Sequence, residues 1–240
     1  MALKLTEAVP WGRLASEYRR MFALTPQDLD RRILDCGGGP SSFTAEMTAQ
    51  GKQAVSCDPL YQFTGEEIRQ RIDEVYPRMT ALTAANQDHF LWNEYGSPTR
   101  LAETRMRAMR LFLDDYAAGK AQERYLTGEL PTLPLDSGHF DLALCSHFLF
   151  TYSEQFTQEF HLAAIAEMLR VAGEVRIFPI LTAFSGEPSP HLAPILEWLN
   201  RQGYTAELRT VAYEFQKGGN QMLVVHNGIG CGSEEGSGRR

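Results

Sequence analysis

One stretch constrains this chain more than any other: Arg32-Ile33-Leu34-Asp35-Cys36-Gly37-Gly38-Gly39-Pro40-Ser41-Ser42-Phe43. An apolar run closes on a carboxylate, three glycines follow, and a helical pattern opens behind Ser41 and Ser42. Glycine lets a chain turn that sharply and leaves its peptide groups bare. A ligand can then lie directly on backbone N–H groups at the start of a helix. Ala54-Val55-Ser56-Cys57-Asp58 is a second short apolar run ending in a carboxylate, and Pro59 stops it. Two acidic strand ends around one glycine turn outline a site shaped for a nucleoside.

The rest of the chain alternates strand and helix. Glu17 to Phe22 reads as a short helix with Tyr18, Met21 and Phe22 on its apolar side. Ile33–Asp35 and Ala54–Asp58 read as the first two strands, with a helix between them that carries Phe43 and Met47 and stops at Gly51. From 64 to 122 the periodicity is helical throughout. Ile68, Ile72, Val75 and Met79 recur at steps of three or four, and after Ser97-Pro98 so do Leu101, Met109, Phe112, Leu113 and Tyr116. A crossover between parallel strands needs one helix, so this segment is expected to be a helical insertion or lid. Further strands are expected at Arg124–Leu126, Phe140–Cys145 and Val175–Phe178, with helices at Thr157–Val171 and His191–Gln202. Glu207–Phe215 and Met222–Val225, around the turn Lys217-Gly218-Gly219-Asn220, close the chain as an antiparallel pair.

The implied architecture is α/β. It is a Rossmann-like three-layer sandwich on a mostly parallel seven-stranded sheet, with an antiparallel C-terminal hairpin strand and a helical insertion. A single domain is expected over 1–226, with an N-terminal cap at 8–30, the insertion at 64–122, and a disordered tail at 227–240.

Composition narrows the function. The formal net charge of -7 disfavours broad nucleic-acid binding, and Arg100, Arg105, Arg107 and Arg110 are interspersed with Glu103, Asp114 and Asp115. No apolar run reaches the length of a membrane span, and the first residues lack the layout of a secretion signal. Cys36, Cys57, Cys145 and Cys231 have no C-x-x-C spacing, which points to free thiols in a reducing, cytoplasmic setting. His89, His139, His161, His191 and His226 have no metal-ligand spacing, so no metal is expected.

These residues resemble the class I S-adenosylmethionine-dependent methyltransferases. The family's acidic-x-Gly-x-Gly-x-Gly turn is matched by Asp35, Gly37 and Gly39, with Ser41 at the third glycine. Its acidic end to the second strand is matched by Asp58. Its Gly-acid and Leu-Pro pairs are matched by Gly128-Glu129 and Leu133-Pro134, and its Phe-Asp start to the fourth strand by Phe140-Asp141. Trp11-Gly12-Arg13 with Glu17-Tyr18 is similar to the cap such enzymes fold over the cofactor. The resemblance covers roughly residues 11 to 226.

It implies S-adenosyl-L-methionine as cofactor. Backbone at Gly37, Gly38 and Gly39 would hold its carboxylate, and Asp35 its ammonium, directly or through water. Asp58 would accept from the ribose hydroxyls and Glu129 from the adenine amino group, with Tyr61 and Leu130 sandwiching the ring. Cys36, Pro59, Ser146, Tyr18 and Arg13 complete the expected contacts. Past the fourth strand, beside the methyl group, His147 is the near-neutral base and Tyr152 could orient an acceptor. The acceptor is expected to be a small or medium-sized molecule under the insertion. A macromolecular acceptor and a non-catalytic cofactor-binding or partner-binding module are the alternatives, and the oligomeric state is left open.

Overall fold

The computed structural model describes residues 9–183 and 186–227. The expectation for the tail therefore lies, beyond Asn227, outside the described residues, as does residue 8 of the expected cap.

The central strands are apolar on both faces, which is what a covered, largely parallel sheet requires. In β1 (Ile33–Cys36) Ile33 joins one core layer and Leu34 and Cys36 the other. β4 (Phe140–Ser146) divides Leu142 and Leu144 from Ala143 and Cys145, and β7 (Gln221–His226) divides Met222 and Val224 from Leu223 and Val225. One layer is built with α1 (Ala15–Met21) and α2 (Phe43–Ala49), through Tyr18, Met21, Phe43 and Met47. The other is built with α5 (Gln158–Val171) and α6 (Leu192–Arg201), through Ile165, Met168, Ile195 and Leu199.

With β2 (Ala54–Cys57), β3 (Tyr125–Leu126), β5 (Ala172–Phe178) and β6 (Thr205–Thr210), seven strands form one sheet in the order β3-β2-β1-β4-β5-β7-β6. β1 pairs in parallel with both β2 and β4, and Asp35 lies opposite Ser56 and Leu144. β7 runs antiparallel to both β5 and β6. The strand order reverses between β1 and β4, and the carboxyl ends of strands at such a point open on a crevice. This is the three-layer Rossmann-like architecture that the sequence implies.

Two expectations need correction. The segment 64–122 is not wholly additional to the sheet's crossovers. α3 (Gly65–Ala85) and α4 (Pro98–Ala121) pack on each other, but α4 also packs on α2 and on β3. Met109, Phe112 and Tyr116 of α4 cluster with Tyr61 and Tyr125. α4 is thus the crossover helix itself, and only α3 and residues 86–97 are extra. Periodicity marks a helix without saying what its apolar side meets. The last hairpin is also shorter than expected. β6 ends at Thr210, because Tyr213 turns into the core and Phe215 stacks on Phe90, with ring centroids 4.5 Å apart. Leu91 N donates to Phe215 O at 2.7 Å, which ties the turn to the 86–97 segment.

Among the described residues no helix is long and apolar enough to cross a membrane, and no group of three or more His, Cys, Asp or Glu is placed to hold a metal ion.

Candidate functional site

Beyond the carboxyl ends of β1, β2 and β4 lies a cleft of about 590 Å³. Its floor is the glycine crook. Gly37 and Gly39 take φ of 68° and 52°, in the left-handed region that disfavours side chains. Gly38 is held by close approach instead: a Cβ there would meet Ser56 Oγ at 2.1 Å and Asp35 Oδ2 at 2.4 Å. Behind the crook, Ser41 Oγ accepts from Phe43 N at 3.1 Å and so caps α2 from one residue further out than Ser42, the first flanking residue.

Asp58 forms the facing wall. Its Oδ2 accepts from Gly39 N at 2.9 Å and its Oδ1 from Leu60 N at 2.7 Å. It caps the one-turn helix Pro59–Gln62 rather than ending β2. Burial pushes its carboxyl up to about 6, and the two N–H groups pull the other way. At neutral pH it is an anion with lone pairs left for a second partner on each oxygen.

Of the predicted site residues, Gly37, Gly38, Gly39, Asp58, Pro59, Glu129, Leu130, Ser146, His147, Tyr152, Tyr18 and Arg13 all line this one cleft. Three others do not. Asp35 is 1% exposed and lies under Gly38, where both its oxygens accept from Tyr18 Oη at 3.2 and 3.1 Å. Burial pushes its carboxyl up to about 7. It supports the crook from below and cannot meet a ligand's ammonium directly. Cys36 faces the core beneath the sheet, and burial drives its thiol well above the ordinary range. Tyr61 points away from the cleft: its hydroxyl donates to Gly39 O at 2.7 Å and lies 2.7 Å from Ser56 Oγ, so it braces the crook from behind. Its neighbours Leu60 and Phe63 present apolar surface in its place.

The wall after β4 is strained. His147 has φ of 49°, unusual for a residue with a Cβ. Its N–H donates to Phe178 O at 2.6 Å, and its Nδ1 lies 3.0 Å from Ser146 Oγ. Burial, then the charges of Arg13 and Arg105, hold the imidazole well below its ordinary value, so it is neutral at pH 7. Tyr152 Oη accepts from Val9 N at 3.3 Å and fastens the N-terminal segment across the opening. Phe148 packs over Gly37.

Sequence reasoning missed what holds the roof in place. Arg105, reaching in from α4, donates to Glu17 Oε1 and Oε2 at 2.6 and 2.7 Å, with both side chains almost fully buried. Tyr95 and Tyr213 complete the cluster on Glu17. Glu17 also caps α1 through Leu14 N. An acid in a first helical turn and an arginine on a mostly polar helix give no sign in the sequence that they meet.

No model of a protein family matches the chain. It is 35% identical over 224 residues to the uncharacterized protein MJ0045 of Methanocaldococcus jannaschii, a match spanning 93% of this chain and 98% of that one. Solved structures of similar course include a SAM-dependent methyltransferase from Aquifex aeolicus (14% identity, 88% and 87% of the two chains, TM-score 0.42). A TehB-like SAM-dependent methyltransferase from Corynebacterium glutamicum (16%, 88% and 85%, 0.42) is another. Magnesium protoporphyrin IX methyltransferase from Synechocystis PCC 6803 is a third (12%, 82% and 74%, 0.40). The chain belongs to the family of the Methanocaldococcus jannaschii protein.

Proposed function

We propose that this chain, as a member of that protein's family, is an S-adenosylmethionine-dependent methyltransferase acting on a small or medium-sized molecule. The observation that carries the reading is the glycine crook Gly37–Gly39 with the Asp58 carboxylate hydrogen-bonded beside it, both lining one open cleft. The residues suit the cofactor. The N–H groups of Gly37 and Gly39 are taken by Cys57 O and Asp58, so what the crook offers is close approach to bare backbone, and Asp58 offers an anion to a vicinal diol. Leu130 and Leu60 offer apolar faces to a base, with Glu129 at the rim to accept from an amino group.

Held by Asp58 and the crook, S-adenosylmethionine would supply an activated methyl group to the acceptor's lone pair, leaving as the neutral thioether. The protein's part is to align that lone pair and exclude water. His147 and Tyr152 border the place where the acceptor would approach. A neutral His147 of depressed basicity is a poor proton acceptor, which favours an acceptor that arrives already ionised or needs no base. Three described cysteines are free and buried, in keeping with a reducing, cytoplasmic setting. Calorimetric titration with S-adenosylmethionine and S-adenosylhomocysteine tests the reading. Binding at micromolar Kd, weakened at least tenfold by Asp58→Ala, is expected. Failure of folded protein to bind either compound refutes it.

A further inference from the structure

A second cavity of about 120 Å³ lies behind a partition of Val9, Trp11, Arg13, His147 and Tyr152, which it shares with the cleft. Met79, Leu101 and Phe215 give it apolar surface, and Arg13, Arg105 and Thr151 give it polar atoms. Among the described residues five side-chain polar atoms are buried without a hydrogen-bond partner: Arg13 Nε, Arg19 Nε, Thr44 Oγ1, Arg105 Nε and Thr151 Oγ1. Three of the five belong to residues lining this one cavity. Such atoms are normally paired, and leaving a charged donor unpaired is costly.

The charge is unbalanced in the same direction. Glu17 answers Arg105, but Arg13 makes no ion pair among the described residues and donates only to Trp11 O, at 3.3 Å. Asp35, the next carboxyl, is taken up by Tyr18 and Ser56. One half-buried guanidinium between the cleft and the cavity, its Nε buried without a partner, is therefore left without a counter-charge.

We propose that this cavity seats the methyl acceptor and selects a small organic anion, a carboxylate on a compact apolar body, with Arg13, Arg105 and Thr151 taking the carboxylate and Met79, Leu101 and Phe215 the body. The assignment of the ligand as acceptor rests on the neighbouring cleft being the cofactor site. A cavity of roughly 150 Å³ accommodates benzene, so at about 120 Å³ the limit here is a body smaller than or at most the size of one ring.

Calorimetry with acetate, pivalate and benzoate, each against its amide, tests the proposal on the protein alone and saturated with S-adenosylhomocysteine. At least one carboxylate is expected to bind threefold or more tighter than its amide in the saturated protein. Arg13→Gln should abolish that preference. Thr151→Val, with an unchanged melting temperature as its control, should weaken the carboxylate about threefold or more. A preference below threefold in every pair overturns the proposal. So does exclusion of the carboxylate by S-adenosylhomocysteine, which would place the anion in the cofactor cleft. If S-adenosylhomocysteine fails to bind while the carboxylate preference persists in the protein alone, the methyltransferase reading falls and the anion site stands.

Discussion

Asp35→Asn should make the protein more stable at pH 8. Asp35 is buried under the crook, and burial raises its carboxyl from 3.8 to about 7. With the folded-state value raised, the group's favourable contribution is complete below 3.8 and is lost as the pH rises through about 7. At pH 8 the ionised group costs on the order of 4 kcal/mol, and at pH 5 about 1.6 kcal/mol. Asparagine keeps one oxygen for Tyr18 and gives up an acceptor worth about 1–2 kcal/mol. The net expectation is a gain of about 2–3 kcal/mol at pH 8 and about none at pH 5. Urea unfolding of parent and variant at the two pH values measures both. A variant less stable than the parent at pH 8, or a difference that does not change with pH, would refute the claim that burying this charge is costly.

Other outcomes follow from the same geometry. Asp58→Asn should weaken S-adenosylhomocysteine by about tenfold or more at pH 7.5. In the parent, affinity should fall as pH drops through about 6, by about tenfold at pH 5, whereas the variant's affinity should stay flat; calorimetry across pH 5–8 reads both. Gly38→Ala would drive a Cβ to 2.1 Å from Ser56 Oγ, so the crook must shift. Cofactor affinity should fall by about thirtyfold or more, or about 2 kcal/mol, while circular dichroism stays native. Arg105→Met leaves the Glu17 carboxylate buried without its cation and should cost about 3–5 kcal/mol in denaturant unfolding. Adding Glu17→Gln should recover part of that loss.

The sequence made legible the parts of the site that depend on backbone. Gly37 to Gly39 had to form a tight turn, and Asp35 and Asp58 had to sit at neighbouring strand ends, because alternation and glycine fix both. It did not show which way a side chain turns once there. Asp58 is the extended residue that precedes the one-turn helix and Tyr61 lies within it, so one faces the cleft and the other the core, and no apolar count separates them. Asp35 and Asp58 look alike as strand-end acids, yet the pleat puts the first under Gly38 while the turn at Pro59 leaves the second in the wall. α4 carried a clear helical period, but its role as crossover depends on contacts with β3 and α2 that are distant in sequence. The strand-like character of Tyr213 and Phe215 extends β6 in the sequence, but their tertiary partners Glu17 and Phe90 outweigh it.

The clamp between Glu17 and Arg105 bears on how solutes reach the interior. Swinging α4 aside as a door would pull a guanidinium off its counter-ion in an oily surrounding, and α1 would be dragged along. Passage therefore falls to the rim, where exposed Arg71 rests over the Phe63 ring at 5.4 Å and Phe160 stacks on Phe156. Rotations of such groups take nanoseconds rather than the milliseconds of a hinged segment, so entry and exit need not wait for the scaffold to move.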